Sequence, residues 1–332
     1  MTKAENGELV DMVAIARENA LADAMLTRPG MRKVIAPAKV NLFLGIGDKL
    51  DTGYHEVTNV MHAVMLHDTV YVRSVPAKAG SGLSITVVCT GKDGVEPPDV
   101  DPERNIAYRA AAAFAEELGR TEDETIEIVI EKRIPHEAGL GGGSSDAAAT
   151  IAGLCDVWGV GVDDPAAVAA ARSVGSDVPF FLHGGCALFD GAGEVFANAL
   201  EPRRESIVIV KPDAGLSTAE VYAEFDKEPS PIPEVVHASV RAAASAHDVP
   251  LMNSLAAPAE RLMPELAAVR SWLEGVEGAG EALLCGSGSS TFAVCDDFAT
   301  ACAVAAKAQA RGWWARATTF SSARASVIPD KR

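Results

Sequence analysis

A glycine-rich stretch at residues 139–145 limits the possible folds of this chain more than any other part of it. It reads GLGGGSS, and four glycines let a backbone turn tightly and approach a ligand with no Cβ in the way. The alanine-rich segment that follows predicts a helix beginning near Ser144. The unpaired N–H groups and the positive dipole end of such a helix can hold phosphate oxygens. We therefore predict a phosphate-binding loop.

Two other glycine motifs that bind phosphate fit this stretch badly. A P-loop requires a Lys after its last glycine, and none follows here. The dinucleotide fingerprint requires a third Gly or Ala, but counting from Gly139 or Gly141 that position holds Ser144 or Asp146. A flexible strand–helix connector is the remaining alternative, although four glycines and two serines exceed what a connector needs.

Overall charge and hydropathy limit the kind of partner. The 332 residues include 29 Lys and Arg against 46 Asp and Glu, a net charge of −17, which disfavours nucleic-acid binding. A phosphorylated small molecule can still bind where backbone N–H groups and a few lysines form a local pocket. The sequence has no apolar run of about 20 residues that would span a membrane. The first residues also lack a secretory signal, so we expect a cytoplasmic protein without a membrane partner.

The spacing of apolar residues and the position of a polar break divide the chain into three predicted parts. Residues 1–30 form a predicted N-terminal helical extension, with apolar residues at helical spacing over 8–26. Residues 31–201 alternate strands rich in Val, Ile and Thr with helices. A polar break near 201–204 places a second domain at 202–330.

The second domain has the order β-α-α-β-β-α-β, which suits a split-βαβ sandwich with helices on one face. Its second helix is predicted from four apolar residues on one face, Leu262, Leu266, Val269 and Leu273. The whole chain is therefore predicted to be α+β.

Several motifs in order along the chain resemble the GHMP small-molecule kinases. The phosphate loop of that family has the form P-x-x-x-G-L-G-S-S, and PHEAGLGGGSS occupies residues 135–145. APAKVNLFLGI with DTGYHEV, GLGGGSSDAA and GSDVPFFLHGGCALFDGAGE are similar to the family member that phosphorylates a cytidyl diphosphate of a branched polyol in isoprenoid-precursor synthesis. CGSGSSTFAV resembles a further glycine turn of the family. The resemblance extends from Val34 to Phe320.

This resemblance implies a fold and a reaction. The expected fold is a ribosomal-S5-domain-2-like α/β domain followed by the split-βαβ domain, with the active site in the cleft between them. Lys39 and Asp177 match the catalytic lysine and aspartate of the family motifs. A carboxylate can accept the proton of an attacking hydroxyl, and an ammonium can offset charge on the transferring phosphoryl group.

The resemblance also implies substrate contacts. Tyr54 and Tyr222 would sandwich a cytosine ring, and His55 would hydrogen-bond the edge of the base. Asn41 and Thr218 would hold polar groups of the substrate. Two alternatives stay open, because Tyr222 also fits a helix core and His55 also fits a hairpin.

ATP is the implied co-substrate, and Mg²⁺ is expected with it. The implied nucleotide contacts are Pro135, His136, Glu137, Ala138, Gly139, Leu140, Gly141, Gly142, Gly143, Ser144 and Ser145, with Lys132 and Asn105. Strand and cap roles also explain Lys132 and Asn105. Ser144 and Ser145 are candidate magnesium ligands. A zinc site at His55, His62 and His67 is disfavoured, because their spacing does not bring them together on one face.

Two alternative functions remain. One is a different GHMP kinase, acting on homoserine, mevalonate or a sugar. The other is a non-catalytic binding protein, since the N-terminal fold also occurs in nucleic-acid-associated proteins. The acidic charge and the joint presence of Lys39, Asp177 and the loop favour the kinase, as a monomer or a homodimer.

Overall fold

The computed structural model describes residues 2–3, 9–10, 12–49 and 55–329. Its strands are β1 (Thr2–Lys3), β2 (Leu9–Val10), β3 (Arg32–Lys49), β4 (His55–Pro76), β5 (Leu83–Gly91), β6 (Glu124–Lys132), β7 (Cys186–Asp190), β8 (Val195–Leu200), β9 (Ser206–Lys211), β10 (Met252–Asn253), β11 (Ala279–Leu284), β12 (Thr291–Cys295), β13 (Trp314–Thr319) and β14 (Ser326–Val327). Its α-helices are α1 (Met12–Leu26), α2 (Ile106–Glu117), α3 (Gly142–Trp158), α4 (Pro165–Val174), α5 (Val178–His183), α6 (Thr218–Phe225), α7 (Glu234–Arg241), α8 (Ala256–Leu262), α9 (Glu265–Glu274) and α10 (Phe298–Gln309). None of these helices is long and apolar enough to cross a membrane in the described ranges.

The first sheet has the strand order β10-β3-β4-β6-β5, with β14 beside β3 and the β7–β8 pair beside β4. Its long strands β3 and β4 are antiparallel, whereas β5 and β6 are parallel. Helices α2 to α5 share one apolar core with β3, β4 and β6. Burial of this Ala-, Val- and Phe-rich surface is the main force that holds the α3 helix, and with it the glycine loop, on the sheet.

The second sheet is antiparallel throughout, in the order β11-β12-β9-β13. Helices α9 and α10 pack on it through a core that includes Val269, Leu273 and Val304. Another core cluster joins β3 and β4 of the first sheet to β9 and β12 of the second. These two units confirm the predicted two-domain α+β fold. The predicted order of the second domain was wrong in one respect, because four helices (α6 to α9) and the short strand β10 lie between β9 and β11 where two helices were predicted.

Two predicted helices have different limits in the structure. The helix predicted over 8–26 begins at Met12, and Leu9–Val10 instead form a short strand, while residues 8 and 11 lie outside the described residues. The prediction that Leu262 shares one helical face with Leu266 was wrong. Helix α8 ends at Leu262 because Pro264 follows it, and a proline cannot continue a helix from the residues before it. The side chain of Leu262 is exposed.

Helix α1 covers part of the first sheet. Ala22 and Met25 are buried against Val88 of β5 and Val129 of β6. The predicted extension therefore packs on the first domain.

Chain segments from the second half also return to the first sheet. Met252–Asn253 pairs in parallel with β3 beside Phe43 and Leu44, and Ser326–Val327 pairs antiparallel with β3. The domain limits at 30 and 201 stay a prediction, since strands from beyond residue 202 complete the first sheet.

Candidate active site

A cleft of about 1170 Å³ lies where β3, the glycine loop and α6 meet. Most of the side chains predicted for the site line it, namely Lys39, Asn41, His55, Asn105, Lys132, residues 135–144, Asp177, Thr218 and Tyr222. Ser145 does not line it and is buried. Tyr54 lies outside the described residues. The fold thus brings residues from both sheets and their helices to one place.

Lys39 and Asp177 meet at the floor of the cleft. Nζ of Lys39 lies 3.6 Å from Oδ2 of Asp177, and the side chain of Lys39 is almost fully buried. Asp177 directly precedes α5, and its side chain makes no capping hydrogen bond to that helix. The carboxylate is therefore held near an ammonium while its oxygens stay available to a ligand.

Asn41 continues this polar chain. Nζ of Lys39 donates to Oδ1 of Asn41 at 2.8 Å, and Nδ2 of Asn41 donates to Oδ1 of Asn59 at 2.8 Å. Asn59 also lines the cleft, and sequence reasoning missed it. Because Lys39 and Asn41 alternate on β3, both side chains point to the same face of the sheet.

The glycine loop ends at the start of α3, as the sequence predicted. Gly141 is the N-cap residue of α3 with φ of 70°, a left-handed conformation that glycine adopts without a steric cost. A Cβ at Gly141 would lie 2.7 Å from Cζ of Phe181 and 3.1 Å from Cγ of Lys39. The helix therefore begins at Gly142, two residues before the predicted start, and close packing against Lys39 excludes larger residues.

Backbone hydrogen bonds fix the loop to both halves of the molecule. The N–H of Lys39 donates to the carbonyl of Leu140 at 3.0 Å. The N–H groups of Ser289 and Ser290 donate to the carbonyls of Glu137 and Ala138, each at 3.1 Å. The C-terminal glycine turn noted in the sequence thus supports the glycine loop from behind.

Lys132 belongs to a buried ion cluster at one end of the loop. Its Nζ bonds Oδ2 of Asp146 at 2.6 Å and also bonds Asp68. Burial alone would lower the pKa of Lys132, but Asp146 and Asp68 outweigh it and raise that pKa. Burial raises the pKa of Asp146, and the Lys132 ammonium opposes that rise. Oδ1 of Asp146 has no hydrogen-bond partner among the described residues.

Asn105 and the serines have distinct positions. Oδ1 of Asn105 accepts the N–H of Ala107 at 2.9 Å, the cap contact that the sequence predicted, and the side chain also lines the cleft. Ser144 lines the cleft beside Gly175 and Ser176. The Oγ of Ser145 is buried with no hydrogen-bond partner in the described part of the chain.

His55 and α6 form the other end of the cleft. The rings of His55 and Tyr222 are 6.3 Å apart with an interplanar angle of 28°, and Phe225 meets His55 edge-on at 5.5 Å. Burial and the nearby charge of Asp177 raise the pKa of Tyr222 to about 12, so its hydroxyl stays neutral. Oγ1 of Thr218 pairs with Oγ of Ser287 at 2.8 Å.

Sequence reasoning also missed Asp226, the C-cap residue of α6. Its Oδ1 lies 2.6 Å from Nε2 of His55, and its Oδ2 accepts from Nζ of Lys49 at 2.7 Å. Asp226 stands four residues after Tyr222, a spacing that places both on one helical face and is the signal that could have found it. Within the described ranges, no group of three His, Cys, Asp or Glu residues is arranged to hold a metal.

Comparison with known proteins identifies the class. The model of the GHMP kinases N-terminal domain matches residues 105–185, and that of the GHMP kinases C-terminal region matches residues 238–312. The homoserine kinase of Cytophaga hutchinsonii superposes with a TM-score of 0.67 over 91% of this chain and 98% of its own. At 20% identity, that likeness bears on the fold alone.

Two further comparisons are more specific. The 4-diphosphocytidyl-2-C-methyl-D-erythritol kinase of Mycobacterium tuberculosis is 38% identical over 296 residues, covering 85% of this chain and 88% of the relative. A crystal structure of 4-(cytidine 5'-diphospho)-2C-methyl-D-erythritol kinase superposes with a TM-score of 0.69 and 33% identity, covering 87% of this chain and 99% of that one. The chain therefore belongs to the GHMP kinases, in the family of 4-diphosphocytidyl-2-C-methyl-D-erythritol kinases.

Proposed function

We propose that the protein transfers the γ-phosphoryl group of ATP to the 2-hydroxyl of 4-diphosphocytidyl-2-C-methyl-D-erythritol, in the non-mevalonate route to isoprenoid precursors. The observation that carries the proposal is the meeting of Lys39, Asp177 and the glycine loop in one cleft. Family membership, and relatives named for this substrate, support the choice of acceptor.

Asp177 is the proposed general base. A hydroxyl is a poor nucleophile, and a carboxylate can take its proton as the oxygen attacks phosphorus. The ammonium of Lys39, 3.6 Å away, would offset charge on the transferring phosphoryl oxygens. Phosphoryl transfer depends mainly on such positioning and electrostatic stabilisation.

The loop at residues 135–145 is the proposed seat of the ATP phosphates. The first N–H groups of α3 have no partner within the helix, and they face a cleft that glycines leave open. Asn105 lines the same side and is a proposed nucleotide contact. The carboxylates of Asp68 and Asp146 both bond the ammonium of Lys132. We therefore propose that Lys132 acts by positioning Asp146.

Magnesium fits the Asp146 end of this loop. Oδ1 of Asp146 is an unshared oxygen beside the loop, and hard cations prefer carboxylate and hydroxyl oxygens. Asp146, with Ser144 at the cleft surface, would hold Mg²⁺ carried in with ATP. The cation would neutralise phosphate charge when bound. Ser145 is less suited, since its hydroxyl is buried away from the cleft.

The cytidyl half of the substrate is proposed to lie against α6. The face of Tyr222 can stack on cytosine, with Tyr54 as its proposed partner on the other side. His55 would bond the base edge, and Asn41 and Thr218 would hold polar groups of the substrate.

One assay tests this proposal. The purified protein with ATP and Mg²⁺ is offered the cytidyl substrate, homoserine or mevalonate, and ADP release is measured. We expect turnover with the cytidyl substrate alone. Turnover of homoserine or mevalonate instead would reject the substrate assignment and leave the kinase family intact. Cytoplasmic location and a monomeric or homodimeric state stay predictions.

A further inference from the structure

The cleft end near α6 carries one hydrogen-bond acceptor that no role above uses, the carboxylate of Asp226. The carboxylate of Asp226 faces this end, as does the ring of His55. An acceptor at one edge of a ligand site selects ligands that present an N–H group there.

Asp226 orients the ring of His55. A carboxylate can only accept, so the 2.6 Å contact requires Nε2 of His55 to carry the proton and donate it to Oδ1. Tyr222 and Phe225 of α6 contact the ring on its face and its edge, so Asp226 and its helix determine the orientation of the His55 ring.

Lys49 keeps Asp226 in its charged form. Hydrogen bonds from Lys49 and then His55 lower the pKa of the Asp226 carboxyl. The side chain of Asp226 is 37% exposed, so a bound base can still reach its oxygens.

We propose that Asp226 is a specificity-determining residue that selects cytosine over uracil at this end of the cleft. The inference rests on the proposed function, which places a nucleobase against Tyr222. The 4-amino group of cytosine donates hydrogen bonds, and carboxylates accept from it. Uracil carries a carbonyl oxygen at that position. That oxygen would face the Asp226 carboxylate with no proton between them, which leaves polar groups unpaired.

The test compares two substrates that differ only at that position, the cytidyl and the uridyl diphosphates of methylerythritol. For each, kcat/KM is measured with saturating ATP in the wild type, Asp226→Asn and Asp226→Glu. Asn presents a donor as well as an acceptor, whereas Glu retains a carboxylate. We expect Asp226→Asn to lower the cytidyl-to-uridyl ratio about tenfold or more, mainly through KM, and Asp226→Glu to retain a clear preference for the cytidyl substrate.

Asp248→Asn is the matched control, since Asp248 is an exposed aspartate in a loop away from the cleft lining. It should leave both rates unchanged. If Asp226→Asn fails to fold by circular dichroism, Asp226→Ser removes the same carboxylate and carries the same expectation.

The outcomes separate the two proposals. A wild type that prefers the cytidyl substrate, with a ratio that falls in Asp226→Asn, supports the inference. An equal loss on both substrates, or an unchanged ratio, overturns it while the proposed function stands. A wild type that uses both substrates equally also overturns the inference alone. A wild type with no turnover of the cytidyl substrate overturns the proposed function, and the inference with it.

Discussion

The ammonium of Lys39 is anchored on two sides, 2.8 Å from Oδ1 of Asn41 and 3.6 Å from Oδ2 of Asp177. The backbone N–H of the same lysine holds the carbonyl of Leu140 in the glycine loop. One residue of β3 therefore links the proposed base to the proposed phosphate site. This link restricts movement of the loop relative to Asp177. Transfer of a phosphoryl group between two bound substrates requires such a fixed geometry.

Gly139→Ala should weaken ATP binding. Gly139 has φ of 71°, and a Cβ there would lie 1.9 Å from the carbonyl oxygen of Cys285, so the loop must move off the C-terminal glycine turn. We expect KM for ATP to rise about tenfold or more, as measured by steady-state kinetics.

Gly159→Ala is the matched control. Gly159 has φ of 69°, and a Cβ at this position meets nothing within 4 Å. Left-handed strain should cost each variant about 1 kcal/mol of stability, and Gly139→Ala should lose more because of its contact with Cys285. An equal effect of the two variants on KM for ATP would contradict a role for the loop contact.

Lys132→Met should destabilise the fold strongly. It leaves the carboxylates of Asp68 and Asp146 buried together without a cation, and breaking a buried ion cluster in this way costs about 3–5 kcal/mol. Urea unfolding measures the loss. Lys92→Met is the control, because Lys92 pairs with Glu131 at a half-exposed site and should cost at most about 1 kcal/mol. Similar losses for both variants would refute the account of the cluster.

Stability should fall in mild acid because of His62. Its Nδ1 donates to the carbonyl of Ala63 and its Nε2 accepts from the N–H of Arg203, each at 2.8 Å, so the fold requires the neutral ring. Burial lowers the pKa of His62 from 6.5 to about 4. The unfolded chain therefore takes up a proton at higher pH than the fold. The stabilisation that the neutral His62 ring provides is fully present above the pKa of His62 in the unfolded chain. It is lost as pH falls toward the pKa of His62 in the folded protein.

Urea unfolding at two pH values tests this. The wild type should lose about 2 kcal/mol from this group between about pH 7.5 and about pH 5. His62→Gln should remove that part of the pH dependence, since an amide does not titrate. His67→Gln, at a half-buried position on β4, should retain it. A His62→Gln profile parallel to the wild type would show that His62 does not contribute.

Tyr222→Ala should raise KM for the cytidyl substrate. Loss of a stacking ring costs about 1–3 kcal/mol per base, which corresponds to roughly tenfold or more in KM. Tyr222→Phe retains the ring and should change KM little. KM for ATP serves as the internal control and should stay constant in both. An unchanged KM for the cytidyl substrate in Tyr222→Ala would exclude stacking at this position.

Features that depend on neighbouring residues, such as loops, helix ends and caps, could be predicted from the sequence. Four glycines before an alanine-rich segment predict a loop and a helix start, and the structure has both within two residues. Asn105 was likewise recognisable as a cap. The break between α8 and α9 was readable too, because Pro264 follows Leu262 at the distance at which a helix must stop.

Contacts between distant segments were not readable in this way. The meeting of Asp68 with Lys132 and Asp146 depends on how β4 pairs with β6 and on where α3 packs. The approach of Asp226 to His55 depends on the packing of α6 against the ends of β3 and β4. No period along the chain encodes either distance. The expectation that Lys39 and Asp177 act together came from the family resemblance, and the structure places them in contact.

Asp177→Asn tests the central claim most directly. The amide has nearly the same shape as the carboxylate but cannot accept the proton of the substrate hydroxyl. Turnover of the cytidyl substrate and binding of a non-hydrolysable ATP analogue are measured on the same preparation. We predict that turnover falls by at least about a hundredfold while the dissociation constant of the analogue stays within about threefold of the wild type. Turnover near the wild-type rate would contradict the assignment of Asp177 as the base.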